Sequence, residues 1–424
     1  MDTIFALSSG AAPAGIGVIR ISGPQAFAAV EYLAGTLPPP RTARLRALRG
    51  DDGALLDRAL VLAFPAPATA TGEDLAEFHC HGGRAVIAAV LGALGAVPGL
   101  RPAGAGEFTR RALANGRIDL AEASGLADLL SAETERQRVA ALAAAEGIVS
   151  QRVRGWLDRL AMLSALTEAQ LDFADEDDVG GSGHGLSAIR EGRAALAADL
   201  RMVLDSPPVE RLRYGVHVTL AGPPNSGKST LINLLSQREL AIVSPIAGTT
   251  RDRIEGTVTR AGLVYVLTDT AGLTASDDPI ERIGVDRAQA SIARADIILW
   301  LGDTMPPRDG AIWVRARADE PGRIALAGAH IDVSQNDDAS IEMLWRVIAD
   351  RAERLVPQGD AIAFRESERQ ACQGALDQLT GRHDDLLIIG EQLRLAMRSL
   401  GSILGIDATE TMLDALFGRF CIGK

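Results

Sequence analysis

The sequence predicts a multidomain α/β plus all-α protein. It has an N-terminal α/β domain, a discontinuous helical-bundle domain, and a second α/β domain inserted between the two helical parts. Three observations predict this. Short apolar runs punctuated by Gly and Pro fill residues 1–117. Helix-spaced apolar residues occupy 118–215 and return over 357–424. Between them, over 216–356, apolar strands alternate with helical stretches, as in a parallel sheet with crossover helices. Such an insertion is tolerated because domain termini often lie close together.

The composition sets bounds. A chain of 424 residues suggests about three domains. With 47% hydrophobic and 23% charged residues it can bury sizeable cores. Three cysteines, Cys80, Cys372 and Cys421, make no disulfide framework and fit a reducing compartment. The N-terminus carries Asp2 and glycines where a secretory signal needs a basic end and an apolar core. No apolar run is long enough to span a bilayer, so the expectation is a cytoplasmic protein with no membrane partner. The net charge of −12 argues against a broad, passive nucleic-acid surface; RNA contact needs a local basic patch or a basic partner.

The elements follow in order. Gly15–Gly23 and Ala59–Phe64 read as strands, and Ala85–Gly95 as an alanine-rich helix. Val153, Trp156, Leu157, Leu160 and Leu163 share one face of a long helix, and Asp205-Ser-Pro-Pro208 breaks the helical zone. Val216–Ala221 reads as a buried parallel strand, and Val264–Thr268 as another. After Pro357 come helices over Glu366–Leu379, Asp385–Leu404 and Glu410–Phe417.

Gly222-Pro-Pro-Asn-Ser-Gly-Lys-Ser229 lies between the strand Val216–Ala221 and a helix start at Thr230-Leu-Ile-Asn-Leu-Leu235. Strand, glycine loop and helix together make a phosphate-binding P-loop. Its backbone N–H groups, over Asn225, Ser226, Gly227, Lys228, Ser229 and Thr230, close around phosphate oxygens at a helix N-terminus. Lys228 would reach the β- and γ-phosphates, and the Ser229 hydroxyl would bind Mg²⁺. Asp269-Thr270-Ala271-Gly272 follows a strand and suits indirect Mg²⁺ holding and γ-phosphate sensing. Between them, in Gly248-Thr-Thr-Arg-Asp252, Thr250 completes the Mg²⁺ coordination. The order and spacing predict a Ras-like GTPase domain that takes GTP. Leu273 stands where a Ras-type protein carries its water-orienting Gln, so water positioning must come from elsewhere. Asn225 has two readings, a loop cap or an amide oxygen that holds a monovalent cation against the phosphates. The base-reading motif is eroded: Ala316-Arg-Ala-Asp319 replaces an Asn-Lys-x-Asp. Asp319 can still accept from guanine N1–H and the 2-amino group, Arg317 can lay its stem along the base, and Ser334 is a candidate guanine-loop residue.

With those motifs, the chain resembles the family of tRNA modification GTPases called MnmE or TrmE, from Thr3 to Lys424. The resemblance is carried by Gly15-Ile-Gly-Val-Ile-Arg-Ile-Ser-Gly23, Thr71-Gly-Glu-Asp74, His81-Gly-Gly83 and Gly106-Glu-Phe-Thr-Arg110. It is also carried by Ile246-Ala-Gly-Thr-Thr-Arg-Asp252, Asp269-Thr-Ala-Gly-Leu273 and Phe420-Cys-Ile-Gly-Lys424. It implies a homodimer that works with a flavoprotein partner, MnmG, in a heterotetramer or larger complex. Together they would add a carboxymethylaminomethyl or aminomethyl group to the wobble uridine of certain tRNAs. It implies K⁺-assisted GTP hydrolysis, with K⁺ held at Asn225, Ser244, Ile246 and Thr249, of which Ser244 and Thr249 also join the nucleotide site. Glu281 would position the attacking water, which supplies the missing Gln. A formyl-tetrahydrofolate would be bound at Arg20, Glu77, Arg117 and Lys424 of a folate-binding N-terminal domain, and Cys421 would serve the modification chemistry.

Blander readings stand beside these. Without the resemblance Arg20 reads as a sheet-edge cap, Glu77, Arg117 and Glu281 as surface charges, and Cys421 as a small buried residue. His79-Cys80-His81 reads as strand rather than as a metal site, because further ligands are remote in sequence. Arg41, Arg44, Arg46 and Arg49 read as a solvated strand or loop rather than a tRNA groove. Rival functions are a ribosome-assembly type of regulatory switch, and a folate-binding scaffold with a decayed nucleotide domain.

Overall fold

The computed structural model describes residues 2–172, 182–237, 255–270, 292–320, 328–358, 362–381, 383–406, 410–418 and 420–423. The chain divides into two compact units. The first comprises Met1–Ala127, Ala144–Arg154 and Gly401–Lys424, the second Asp128–Ala143 and Gly155–Leu400.

In the first unit, β1 (Thr3–Leu7), β2 (Ile16–Ser22), β3 (Arg44–Arg49), β4 (Leu55–Phe64), β5 (Leu75–His81) and β6 (Leu100–Pro102) form one sheet. Its order is β3-β4-β5-β2-β1-β6, antiparallel except for the parallel pair β1–β6. Period-two alternation decides the two faces. Ile19, Ile21, Val61 and Phe78 point into a core closed by helices Ala26–Ala34 and Arg84–Ala96. Ile4 and Ala6 point the other way, onto Phe108 of helix Glu107–Ala114. Cys80 is buried in β5, in the helix-covered core. β3 is the exposed arginine-bearing edge, a placement that discourages strand-to-strand aggregation. Residues from the far end of the chain join this unit: Phe417 and Phe420 pack on Ala123. Ile422 bridges to Ala105, and the carbonyl of Gly423 accepts from the Ser8 hydroxyl at 2.7 Å. Position 423 requires glycine, since its φ is +98° and a Cβ there would lie 2.1 Å from the Leu7 carbonyl oxygen.

In the second unit, β7 (Val216–Ala221), β8 (Glu255–Arg260), β9 (Leu263–Asp269), β10 (Ile297–Trp300), β11 (Ile312–Ala316) and β12 (Ile331–Val333) form a second sheet. Its order is β12-β11-β10-β7-β9-β8, parallel except for the β8–β9 hairpin at its edge. Val218, Leu220, Leu267, Leu299 and Val314 form its core with Leu231 and Leu235 of helix Lys228–Gln237 and Leu344, Trp345 and Ile348 of helix Asp338–Glu353. The near-continuous apolar strands are what a sheet covered on both faces requires. Beside it, helix Ile148–Asp172 buries Trp156, Leu160 and Leu163, and Trp156 stacks on Phe364 with ring centroids 5.7 Å apart. Helix Ser182–Asp205 is capped at its C-terminal end by Arg369 of helix Glu366–Leu379, whose guanidinium donates to the carbonyls of Val203, Leu204 and Ser206. Among the described residues, no helix is long and apolar enough to cross a membrane.

Candidate functional site

β7 is flanked by β9 and β10, so the chain leaves it in both directions across the sheet. The carboxyl end of such a strand is where a ligand crevice opens in a parallel sheet. The P-loop springs from that end. Gly227 has φ +95° and Asn225 φ +59°, so the loop curls back on itself before helix Lys228–Gln237 begins. Lys228 is 6% exposed, and its Nζ donates to the carbonyls of Gly222 at 3.1 Å and Pro223 at 2.9 Å. Burial pulls its pKa below the ordinary lysine value, and the charge of Asp269 opposes that. The ammonium therefore sits inside the loop, held by partners that a phosphate can replace.

Ser229 and Asp269 meet at the same place: the Ser229 Oγ donates to Asp269 Oδ2 at 2.6 Å. Asp269 Oδ1 is buried without a hydrogen-bond partner among the described residues. A hydroxyl beside a carboxylate with a spare buried oxygen suits a hard cation that takes oxygen ligands. Thr270 is anchored to the neighbouring strand. Its hydroxyl donates to the Leu220 carbonyl at 2.8 Å and is 2% exposed, so it ties β9 to β7. Ser226 is buried with its Oγ unpartnered among the described residues, Thr230 is exposed on the helix, and the Asn225 side chain is exposed. Among the described residues Asn225 makes no capping hydrogen bond.

The candidate base-reading residues come from the ends of the next strands. The parallel register pairs Ala316 of β11 with Val333 of β12, which brings Asp319 beside Ser334 and Asn336. Asn336 Nδ2 donates to Asp319 Oδ2 at 2.7 Å. Hydrogen bonds from Ser334 and Asn336 hold the Asp319 carboxyl below the usual carboxylate range. This loop lies against the P-loop: a Cβ added at Gly227 would stand 3.7 Å from Arg317 Nε and 3.9 Å from Ala316 Cβ.

A second constellation lies on the first unit's sheet. Arg20 and Glu77 are register partners on β2 and β5, and Arg20 Nη2 donates to Glu77 Oε1 at 2.9 Å. β2 is interior to the sheet, so the sheet-edge reading of Arg20 does not hold. The Arg20 guanidinium carbon lies 5.9 Å from the Phe108 ring centroid, and His79 Nε2 lies 3.1 Å from Glu77 Oε2. Burial works against ionised Glu77, but hydrogen bonds from His79 and Arg20 hold its carboxyl below the ordinary value. The exposed Arg117 packs its Cγ near Gly72, whose neighbours Thr71 and Glu73 hydrogen-bond to Ser22, two residues beyond Arg20. Cys421 is exposed, so burial alone does not explain it. His79 shares the Arg20–Glu77 face through the β2–β5 register, and Phe108 reaches it through the packing of helix Glu107–Ala114 on the sheet, neither of which local sequence shows.

Ser244, Ile246, Thr249, Thr250, Ala271, Gly272, Glu281 and Lys424 lie outside the described residues. Among the described residues, no three His, Cys, Asp or Glu side chains are grouped to hold a metal.

Residues 3–117 match the family described as the GTP-binding protein TrmE N-terminus, and residues 120–421 match the MnmE helical domain. The tRNA modification GTPase MnmE of Erythrobacter litoralis is 53% identical over 428 residues, covering 100% of both chains. That of Rhizorhabdus wittichii is 52% identical over 430 residues, covering 100% of this chain and 97% of its own. The G domain of the T. maritima FeoB iron transporter aligns with 32% of this chain and 98% of its own at 25% identity. Its TM-score of 0.26 is too low to bear on the fold.

Proposed function

This chain belongs to the MnmE family of tRNA modification GTPases, and from that premise we propose that it hydrolyses GTP to drive modification of the wobble uridine of tRNA. The observation that carries the reading is the convergence of Lys228, the Ser229–Asp269 pair and Asp319 at the carboxyl ends of parallel strands. Lys228 exchanges the carbonyls of Gly222 and Pro223 for β- and γ-phosphate oxygens. Ser229 and Thr250 would hold Mg²⁺, which neutralises developing phosphate charge when bound. The exposed amide of Asn225 fits a K⁺ ligand, with Ser244, Ile246 and Thr249 completing the set. A cation there supplies the kind of charge that an arginine finger gives elsewhere, worth ~10³–10⁵ in rate. Glu281 orients the attacking water.

The first unit is the folate-binding part of the proposal. Arg20, Glu77, Arg117 and Lys424 hold a formyl-tetrahydrofolate as the one-carbon donor, and Cys421 serves the modification chemistry near them. The Arg20–Glu77 pair supports this, since it offers one guanidinium and one carboxylate to a ligand with acidic and donor edges. The domains run 1–117, 118–215 with 357–424, and 216–356 inserted. The hydrogen bond from Val209 N to Phe364 O, at 3.1 Å, supports the insertion by bringing the inbound and outbound segments together. The protein acts as a homodimer with the flavoprotein MnmG.

Hydrolysis by the full chain should be much faster in K⁺ than in Na⁺, and Asn225→Ala should remove the difference. Equal rates for wild type in both salts would sink the potassium reading. Nucleoside analysis of tRNA from a strain lacking the gene, rescued by wild type but not by a Lys228 variant, tests the modification reading. Unchanged wobble uridines in the deletion strain would instead favour a regulatory switch.

A further inference from the structure

The base-reading motif lacks its asparagine, because Ala316 stands there, 6% exposed at the end of β11. Asp319 stands on an exposed loop, where without a partner its carboxylate would rotate freely. Reading guanine needs both of its oxygens in one plane, one for N1–H and one for the 2-amino group. A freely rotating acceptor loses affinity by the entropy of fixing it.

The loop after β12 supplies partners for that carboxylate. Asn336 Nδ2 donates to Asp319 Oδ2 at 2.7 Å, across seventeen residues of chain. Asn336 is itself held, since its backbone N–H donates to Ser334 Oγ at 3.1 Å. That leaves the Ser334 hydroxyl proton for Asp319, which it bonds. Ser334 is 6% exposed, and its backbone N–H donates to Ser340 Oγ at 3.1 Å. Asp337 caps the following helix by accepting from Ala339 N at 3.1 Å. The Ala318 N–H donates to the Val333 carbonyl at 3.1 Å, which locks the two loops side by side. Asn336 thus reaches Asp319 from a rigid mount. An ionised carboxylate only accepts, and guanine offers two donors, so two protein donors on the same carboxylate fix its plane without competing for the base edge.

We propose that Asn336 is a positioning residue for guanine: it orients the Asp319 carboxylate. This rests on the GTPase reading above. The test is titration of methylanthraniloyl-labelled GDP and IDP against the full chain, wild type and Asn336→Ala. Inosine lacks the 2-amino group, so it engages one carboxylate oxygen and depends less on the plane. Asn336→Ala should bind GDP about tenfold weaker, while IDP changes less than about threefold. Both side chains are exposed, so the melting temperature should stay put. Unchanged GDP affinity overturns the proposal. So does an equal loss for both nucleotides, which would mark a merely structural role. A wild type that binds neither nucleotide overturns the GTPase reading along with it, and is distinguishable from the first two outcomes.

Discussion

The chain keeps lysine at only two positions, Lys228 and Lys424, and uses arginine everywhere else. At most surface sites the exchange is tolerated, because either cation satisfies a solvated carboxylate. Position 228 is different. The ammonium is buried within its own loop and donates to two carbonyls there. A compact point charge on a flexible stem can leave those carbonyls for a phosphate; a planar five-donor fork needs more room and a different geometry. Lys228→Arg is therefore expected to lose GTP hydrolysis nearly as completely as Lys228→Ala, although the charge is kept. Hydrolysis in the arginine variant within about threefold of wild type would show that charge alone is enough. Asn336 teaches the complementary lesson. Its amide matters for what it touches, and sequence position offered no hint of that, because the partner is set by the pairing of β11 with β12.

Elements differ in how far local sequence determines them. β7 and β9 and helices Glu366–Leu379 and Glu410–Phe417 stand where their apolar periodicity and flanking breakers predict. The P-loop was equally legible, since a glycine loop between strand and helix is a local signal. What escaped is long-range: the register that sets Arg20 against Glu77, and the docking of residues 420–423 on the N-terminal sheet. Helix Glu107–Ala114 shows how such distant partners govern a single element. Glu107, in its first turn, accepts from Arg101, from the backbone N–H of Gly104 and from Arg111, and Arg101 and Arg111 both also reach Asp2. Burial opposes ionisation, yet these donors pull the Glu107 pKa from 4.5 down to about 2. A carboxyl depressed by folding stabilises the fold above its unfolded value and loses that contribution as pH falls through the folded one. Wild type should thus melt above Glu107→Gln at pH 7. The gap should shrink steadily between pH 4.5 and about 2, where wild-type Glu107 takes up its proton. A gap that is constant with pH would show that the glutamate acts through packing.

At the scale of the molecule, the proposed insertion would need a junction between its inbound and outbound segments, and the second unit holds one. Asp128 forms ion pairs with Arg213, just before β7, and with Arg365, just before helix Glu366–Leu379. One carboxylate thus grips the segment before β7 and the segment before helix Glu366–Leu379. Glu210 Oε1 accepts from the Glu366 N–H at 2.9 Å, which fastens the same two segments to each other. Burial pushes the Asp128 pKa up, and both arginines pull against it, so the group's ionised state depends on the clamp staying closed. Removing one partner of a buried pair costs about 3–5 kcal/mol, because the others stay desolvated. Asp128→Ala should therefore loosen both segments together while leaving the P-loop, on the far side of β7, able to bind nucleotide. Limited proteolysis of the full chain reads this directly. The variant should be cut near residues 206–215 and 357–365 faster than wild type, with GDP affinity retained. If GDP affinity falls in step with proteolysis, Asp128 supports the nucleotide domain itself rather than its attachment. If cutting is unchanged, the backbone bonds of Val209 and Glu366 hold the junction without it.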